Sequence, residues 1–90
     1  MTMRDNMVGM FALSLSGHDK GEMYIIIKEE KDSVYLSDGA LKPIEKPKKK
    51  NKKHVQPVKS GMDEALADKL QNEKPVYNEE IKFAIKQRTK

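Results

Sequence analysis

The residues with most chemical potential in this chain are Ser16-Gly17-His18-Asp19-Lys20-Gly21 and the run Lys46, Lys48, Lys49, Lys50, Lys52 and Lys53 that ends at His54. Serine, histidine and aspartate in one short segment raise the question of nucleophilic catalysis. A triad needs its members to converge from separate elements, and near neighbours in one turn do not compose one. His18 and His54 have no cysteines or paired carboxylates at ligand spacing, so no metal site is expected, and the sequence has no Gly-Lys-Ser/Thr phosphate loop. The chain is therefore read as non-catalytic and without a cofactor. What the six-residue segment can do is bind. Its two glycines permit backbone conformations that other residues avoid, and a loop shaped in this way offers N–H groups and charges to a partner. The same glycines would also suit a turn that only connects two strands.

The lysine run points to the kind of partner. Residues 1–41 carry four basic and seven acidic side chains, a net of −3; residues 42–59 carry eight lysines and one glutamate, a net of +7; residues 60–90 balance. So local a positive field attracts polyanions, either nucleic acid or an anionic membrane. Pro43, Pro47 and Pro57 and the sparse apolar residues argue against a basic amphipathic helix on a membrane, which leaves nucleic acid. No aromatic residue is interleaved with these lysines, so the segment is expected to bind phosphates and not to stack bases. A solvated loop that keeps the chain in solution is the competing reading of the same charges.

The elements that must position these groups follow from periodicity. Val8 to Leu15 alternates, with Phe11, Leu13 and Leu15 on one face and Met10, Ala12 and Ser14 on the other, as in a half-buried strand. Met23 to Ile27 is apolar throughout, as in a strand covered on both faces. Val34-Tyr35-Leu36 resumes alternation. Asp38-Gly39 then predicts a two-residue type I′ hairpin turn returning through Ala40 to Ile44 as a fourth strand, and a further short strand is expected near His54-Val55. Glu45 to Lys53 reads as an exposed loop. Beyond Pro57 the period becomes helical: Ser60 to Asp63 has the form of a cap before a Met62-Leu66-Leu70 stripe flanked by Ala65, and Asn78 of a cap before Tyr77, Ile81, Ala84 and Ile85.

Ninety residues with no cysteine and 36% charged side chains describe one small domain with a modest core and no disulfide framework. No apolar run approaches a membrane span and the N-terminal residues lack the apolar segment of a signal peptide, so a soluble, cytoplasmic chain is expected; a monomer is expected as well.

Together these segments resemble the KOW family of RNA-binding domains, and within it the large-subunit ribosomal protein fourteen-e type. The resemblance rests on Val8-Gly9, on Ser16 to Gly21 as the KOW loop, on Tyr24 to Ile27, on Tyr35 to Gly39 and on Asn51 to Pro57, and covers about residues 7–57. It implies a mainly β fold, a small SH3-like barrel over residues 7–58 with a basic loop at 45–53, preceded by a tail at 1–6 and followed by a helical extension of one or two helices at 59–90. It also implies a non-catalytic RNA-binding protein, with ribosomal RNA and the ribosome, including its proteins, as the expected partners. Carried over by position, Gly17, His18, Asp19, Lys20 and Gly21 would face RNA, with Lys52, Lys53 and His54 in the closing basic motif. His18 stands where the ribosomal relatives commonly carry arginine. The alternative is an SH3-like protein-interaction module, which needs an aromatic-lined groove and has only Tyr24, Tyr35 and Tyr77 to build it. The two helical stripes are each too short to be stable alone. At least one is therefore expected to pack on the barrel's outer face, over Tyr24 and Ile26.

Overall fold

In the computed structural model, which describes residues 7–58 and 61–89, apolar alternation and Gly-containing turns give five short strands followed by two helices. The strands are β1 (Phe11–Ser14), β2 (Met23–Glu29), β3 (Ser33–Ser37), β4 (Lys48–Asn51) and β5 (Val55–Val58); the helices are α1 (Glu64–Gln71) and α2 (Asn78–Thr89). All strand pairings are antiparallel, in the order β4-β3-β2-β1-β5. β1 is shorter than the alternation of Val8 to Leu15 predicts, because Val8-Gly9 forms a turn. The chain still holds its place there, the Gly9 amide donating to the Ile26 carbonyl at 2.7 Å. The tail expected at residues 1–6 and the start of the cap expected at Ser60 lie outside the described residues.

Strands β4 and β5 are joined only by a 3-10 turn at Lys52–His54, yet they occupy opposite edges of the sheet. In a flat sheet those edges would lie roughly 19 Å apart, from an interstrand spacing of about 4.8 Å. A three-residue 3-10 turn rises only about 6 Å. The sheet must therefore curl until its edges approach at this turn. Among the described residues no ladder joins β4 to β5, so the curled sheet is not closed by hydrogen bonds.

Curling creates an inside and an outside. Ala12, Tyr24, Ile26, Val34, Leu36 and Val55 form the inner cluster, with Met7 and Met10 against it. Phe11 and Ile25 point the other way and pack with Leu66 of α1 and Ile81 and Ala84 of α2. The helices thus cover the outer face as their apolar stripes require, but over Phe11 and Ile25 instead of Tyr24 and Ile26. Register decides this: Tyr24 pairs with Ala12 and Ile26 with Leu36, which puts all four on the inner side. Burying each of the larger side chains in the outer cluster contributes on the order of 1.5–3 kcal/mol. Both helices differ in detail from their sequence pattern. On α1 the buried alanine is Ala67, not Ala65, and Asp63 is the cap, its side chain accepting from the Leu66 amide at 3.1 Å. α1 stops where Glu73 adopts a left-handed conformation (φ 57°) just before Pro75, which cannot supply the amide of a continuing turn.

The segment after β3 departs most from expectation. Asp38-Gly39 does reverse the chain, but no strand follows at 40–44. A type I′ turn needs positive φ at both central residues, and only Gly39 (φ 74°) of the pair has it. Asp38 instead accepts from the amides of Ala40 and Lys42 with one carboxylate oxygen, each at 2.8 Å, which winds residues 38–42 into a loop. α2 clamps the end of this segment: the side-chain oxygen of Asn78 accepts from the Ile44 amide at 2.8 Å and its Nδ2 donates to Glu45 at 3.0 Å. Asn78 is therefore a latch between α2 and the loop, in place of the helix cap its position suggests. The returning strand is β4, inside the segment expected to be an exposed loop. Lysine is tolerated there because β4 is an edge strand with part of its surface in water.

Gly39 is where the loop and α2 come closest. A Cβ there would collide with the Asn78 carbonyl and lie 2.9 Å from Lys82 Cγ, at a φ that β-branched residues avoid. Gly39→Val is expected to cost about 3 kcal/mol from backbone strain together with displacement of α2, read as a lower urea midpoint with amide-exchange protection lost first in α2. A midpoint equal to the parent's would show that the loop and helix do not depend on this contact.

Candidate nucleic-acid interface

The loop between β1 and β2 is shaped by its own backbone and then fixed by one carboxylate. Gly17 (φ 84°) and Gly21 (φ 90°) both take left-handed conformations, and a Cβ at Gly21 would meet nothing within 4 Å, so its requirement is conformational and not steric. The Lys20 amide donates to the Gly17 carbonyl at 3.2 Å, and Gly21 donates to Ser14 at 2.9 Å. Asp19 turns inward and is 9% exposed. Its Oδ1 accepts from Ser14 Oγ at 3.0 Å and from Lys50 Nζ at 3.1 Å, and its Oδ2 accepts from the Tyr24 hydroxyl at 3.1 Å. Burial pushes this carboxyl up, but the three donors outweigh it and hold the group at about 2, below the usual 3.8. The same burial, with the Asp19 carboxylate alongside, raises the Tyr24 hydroxyl far above its ordinary range.

Lys50 ties the loop to the basic segment. Besides Asp19 its ammonium donates to the Ser16 carbonyl at 3.0 Å, and both members of the ion pair have side chains only 10% exposed. A second tie runs between backbones, from the Leu15 amide to the His54 carbonyl at 2.9 Å. The loop and the end of the lysine run thus form one continuous surface, which the sequence leaves as two separate segments.

Across that surface the sequence-derived residues divide. Asp19 and Lys50 are structural: each is buried and satisfied by the other, so neither faces a ligand. Lys52 pairs with Glu29 at 2.7 Å and Lys49 with Glu30 at 3.5 Å. Lys46 is exposed in the bend before β4, at the far end of that strand from Lys50, about 13 Å away at the usual rise per residue; it does not join the loop. Lys48 is half-buried on β4, and His18, Lys20, Lys53 and His54 are exposed. Among the described residues these five make no ion pair, and the amides of Gly17 and His18 donate to no other group. Lysine ammoniums, imidazole N–H groups and free amides together form the donor set of an anion site.

On the other face of β4 lies a feature that is not visible in the sequence. Lys28 of β2, Tyr35 of β3 and Lys49 of β4 are directly opposite one another in register, Lys28 with Tyr35 and Tyr35 with Lys49. The two ammonium groups lie 5.3 and 5.8 Å from the centre of the tyrosine ring. A register shift between Ile26 and Lys28 makes this alignment, letting Ile27 pack toward the helices while Lys28 meets Tyr35. The lysine run does have an aromatic partner, supplied by the neighbouring strand. Its signal in the sequence is the alternation of Val34-Tyr35-Leu36, but only the strand identity of Lys48–Asn51 reveals what lies beside the ring.

Among the described residues no three histidine, aspartate or glutamate side chains group as metal ligands would, and no helix is long and apolar enough to cross a membrane. No protein-family model and no curated protein matches this chain.

Because the folded carboxyl of Asp19 lies below its unfolded value, it stabilises the fold above about pH 4, and that contribution is lost as pH falls through about 2. Asp19→Asn is expected to be less stable than the parent at neutral pH, with the gap closing between about pH 4 and pH 2 when urea unfolding is followed across that range. A gap independent of pH would remove Asp19 from the charged network. Lys50→Met is expected to cost about 3–5 kcal/mol, since it leaves Asp19 buried without its counter-ion.

Proposed function

We propose that the curled sheet is an SH3-like barrel of the KOW type and that the chain is a non-catalytic RNA-binding protein, with ribosomal RNA or a ribosome-associated RNA as its target. The observation that carries this reading is the loop of residues 16–21, fastened by Lys50 and by the Leu15–His54 backbone bond to the lysine run, with His18, Lys20, Lys48, Lys53 and His54 unpaired among the described residues. These residues offer lysine ammoniums and imidazole groups on the loop and on the segment fastened to it, as a surface that tracks a phosphate backbone requires. Lys50 supports the reading indirectly, by holding the loop.

The alternative of a peptide-binding module finds less support. Of the three tyrosines that would have to line a groove, Tyr24 is 2% exposed and spends its hydroxyl on Asp19, while Tyr35 lies between two lysines.

The test changes only lysines whose ammonium makes no ion pair or hydrogen bond among the described residues. Lys20→Ser, Lys48→Ser and Lys53→Ser combined should leave the urea midpoint unchanged, weaken binding to structured RNA by more than about tenfold at moderate salt, and lower the slope of log affinity against log salt by about 2–3. An unchanged affinity and slope would reduce the basic segment to a surface that keeps the chain in solution.

A further inference from the structure

We infer that the Lys28–Tyr35–Lys49 ladder is a second RNA contact, a platform on which one unpaired base stacks while the lysines take the flanking phosphates. The inference rests on the RNA-binding reading above and adds to it the class of RNA, one with single-stranded or looped-out nucleotides. The three side chains are aligned by the β2–β3 and β3–β4 registers, so the platform is built on strands and not on a mobile loop. Tyr35 is half-buried and fixed at its rim, its hydroxyl donating to Glu30 at 3.3 Å. Glu30 also pairs with Lys49. It leaves the cluster with one net positive charge, so attraction here comes from the ring as much as from Coulomb forces. Lys28 and Lys49 are both exposed, on long stems free to move. A base arriving at the ring displaces an ammonium that was stacked there, and a solvated ammonium–ring contact is worth less than a stacked base. The displaced lysine is then beside the phosphate that comes with the base.

The position relative to the other contact is favourable. Lys50 turns to the inner side, where it meets the glycine loop, and Lys49, next to it, turns outward to Tyr35. Lys49 and Lys50 are adjacent on this edge strand, so the ring and the glycine loop are each held by one of two neighbouring residues.

The chain has three tyrosines and no tryptophan, so tyrosine fluorescence reports stacking directly. The probes are oligouridylate and a blunt RNA duplex, titrated against the parent, Tyr35→Leu and Tyr35→Phe. Oligouridylate should quench the parent's fluorescence. Tyr35→Leu should lose that quenching and bind oligouridylate about tenfold more weakly while binding the duplex like the parent, and Tyr35→Phe, which keeps the ring, should bind both like the parent. If Tyr35→Leu binds oligouridylate as the parent does, or loses affinity for both RNAs equally, the platform is overturned and the RNA-binding reading stands. If the parent binds neither RNA, both fall.

Discussion

The contact on which the arrangement depends is the buried ion pair between Asp19 and Lys50. A carboxylate this far from water is costly unless its charge is met and its oxygens are filled, and here Lys50, Ser14 and Tyr24 do both. The three donors come from β4, β1 and β2, so one side chain in a glycine loop gathers three strands of the sheet. It also couples two segments of opposite character. The loop can be rich in glycine and still hold one shape, because its middle is bolted to the sheet. The strand β4 can be rich in lysine and still be a strand, because one of its charges is neutralised inside.

Strand alternation then divides a uniform basic run into parts with different tasks. Lys50 is structural, Lys49 belongs to the ring of Tyr35, Lys52 answers Glu29, and Lys53 with His54 is left to the solvent. The net charge of the segment overstates what is available to a polyanion. Glu29 and Glu30, which the sequence shows only as a polar connection, are the counter-charges that make the selection.

The fold was legible wherever the pattern was local. The alternation of β1 and β3, the apolar run of β2 and the two amphipathic helices each carry their period in consecutive residues. What could not be read was register. Whether Tyr24 and Ile26 or Phe11 and Ile25 face the helices depends on which side of the sheet curls inward, and that is fixed by pairings with β3 and β5. The lysines of β4 hid a strand because their charge is compensated from elsewhere in the chain. Asp38-Gly39 signalled a turn correctly and its type wrongly, since the Asp38 carboxylate took the amides that a returning strand would have used. Within the candidate site, the glycine loop and the lysine run were visible as binding material, whereas the inward turn of Asp19 and the pairing of Tyr35 with lysines were not.

The pairing of β1 with β5 has a consequence for how the chain reaches this structure. β1 meets β2 across a short loop, but its other flank is filled only by the strand that ends at Val58, which pairs with Phe11. In a chain made from its N-terminus, residues 11–29 precede the strand that fills this second flank of β1, beside the ring of Phe11. Closing that side joins residues far apart in the chain, a step slowed by loop entropy and exposed to pairing with other chains while it is pending. The helices that cover Phe11 emerge later still. The last third of the chain is then a guard for a strand made near its beginning.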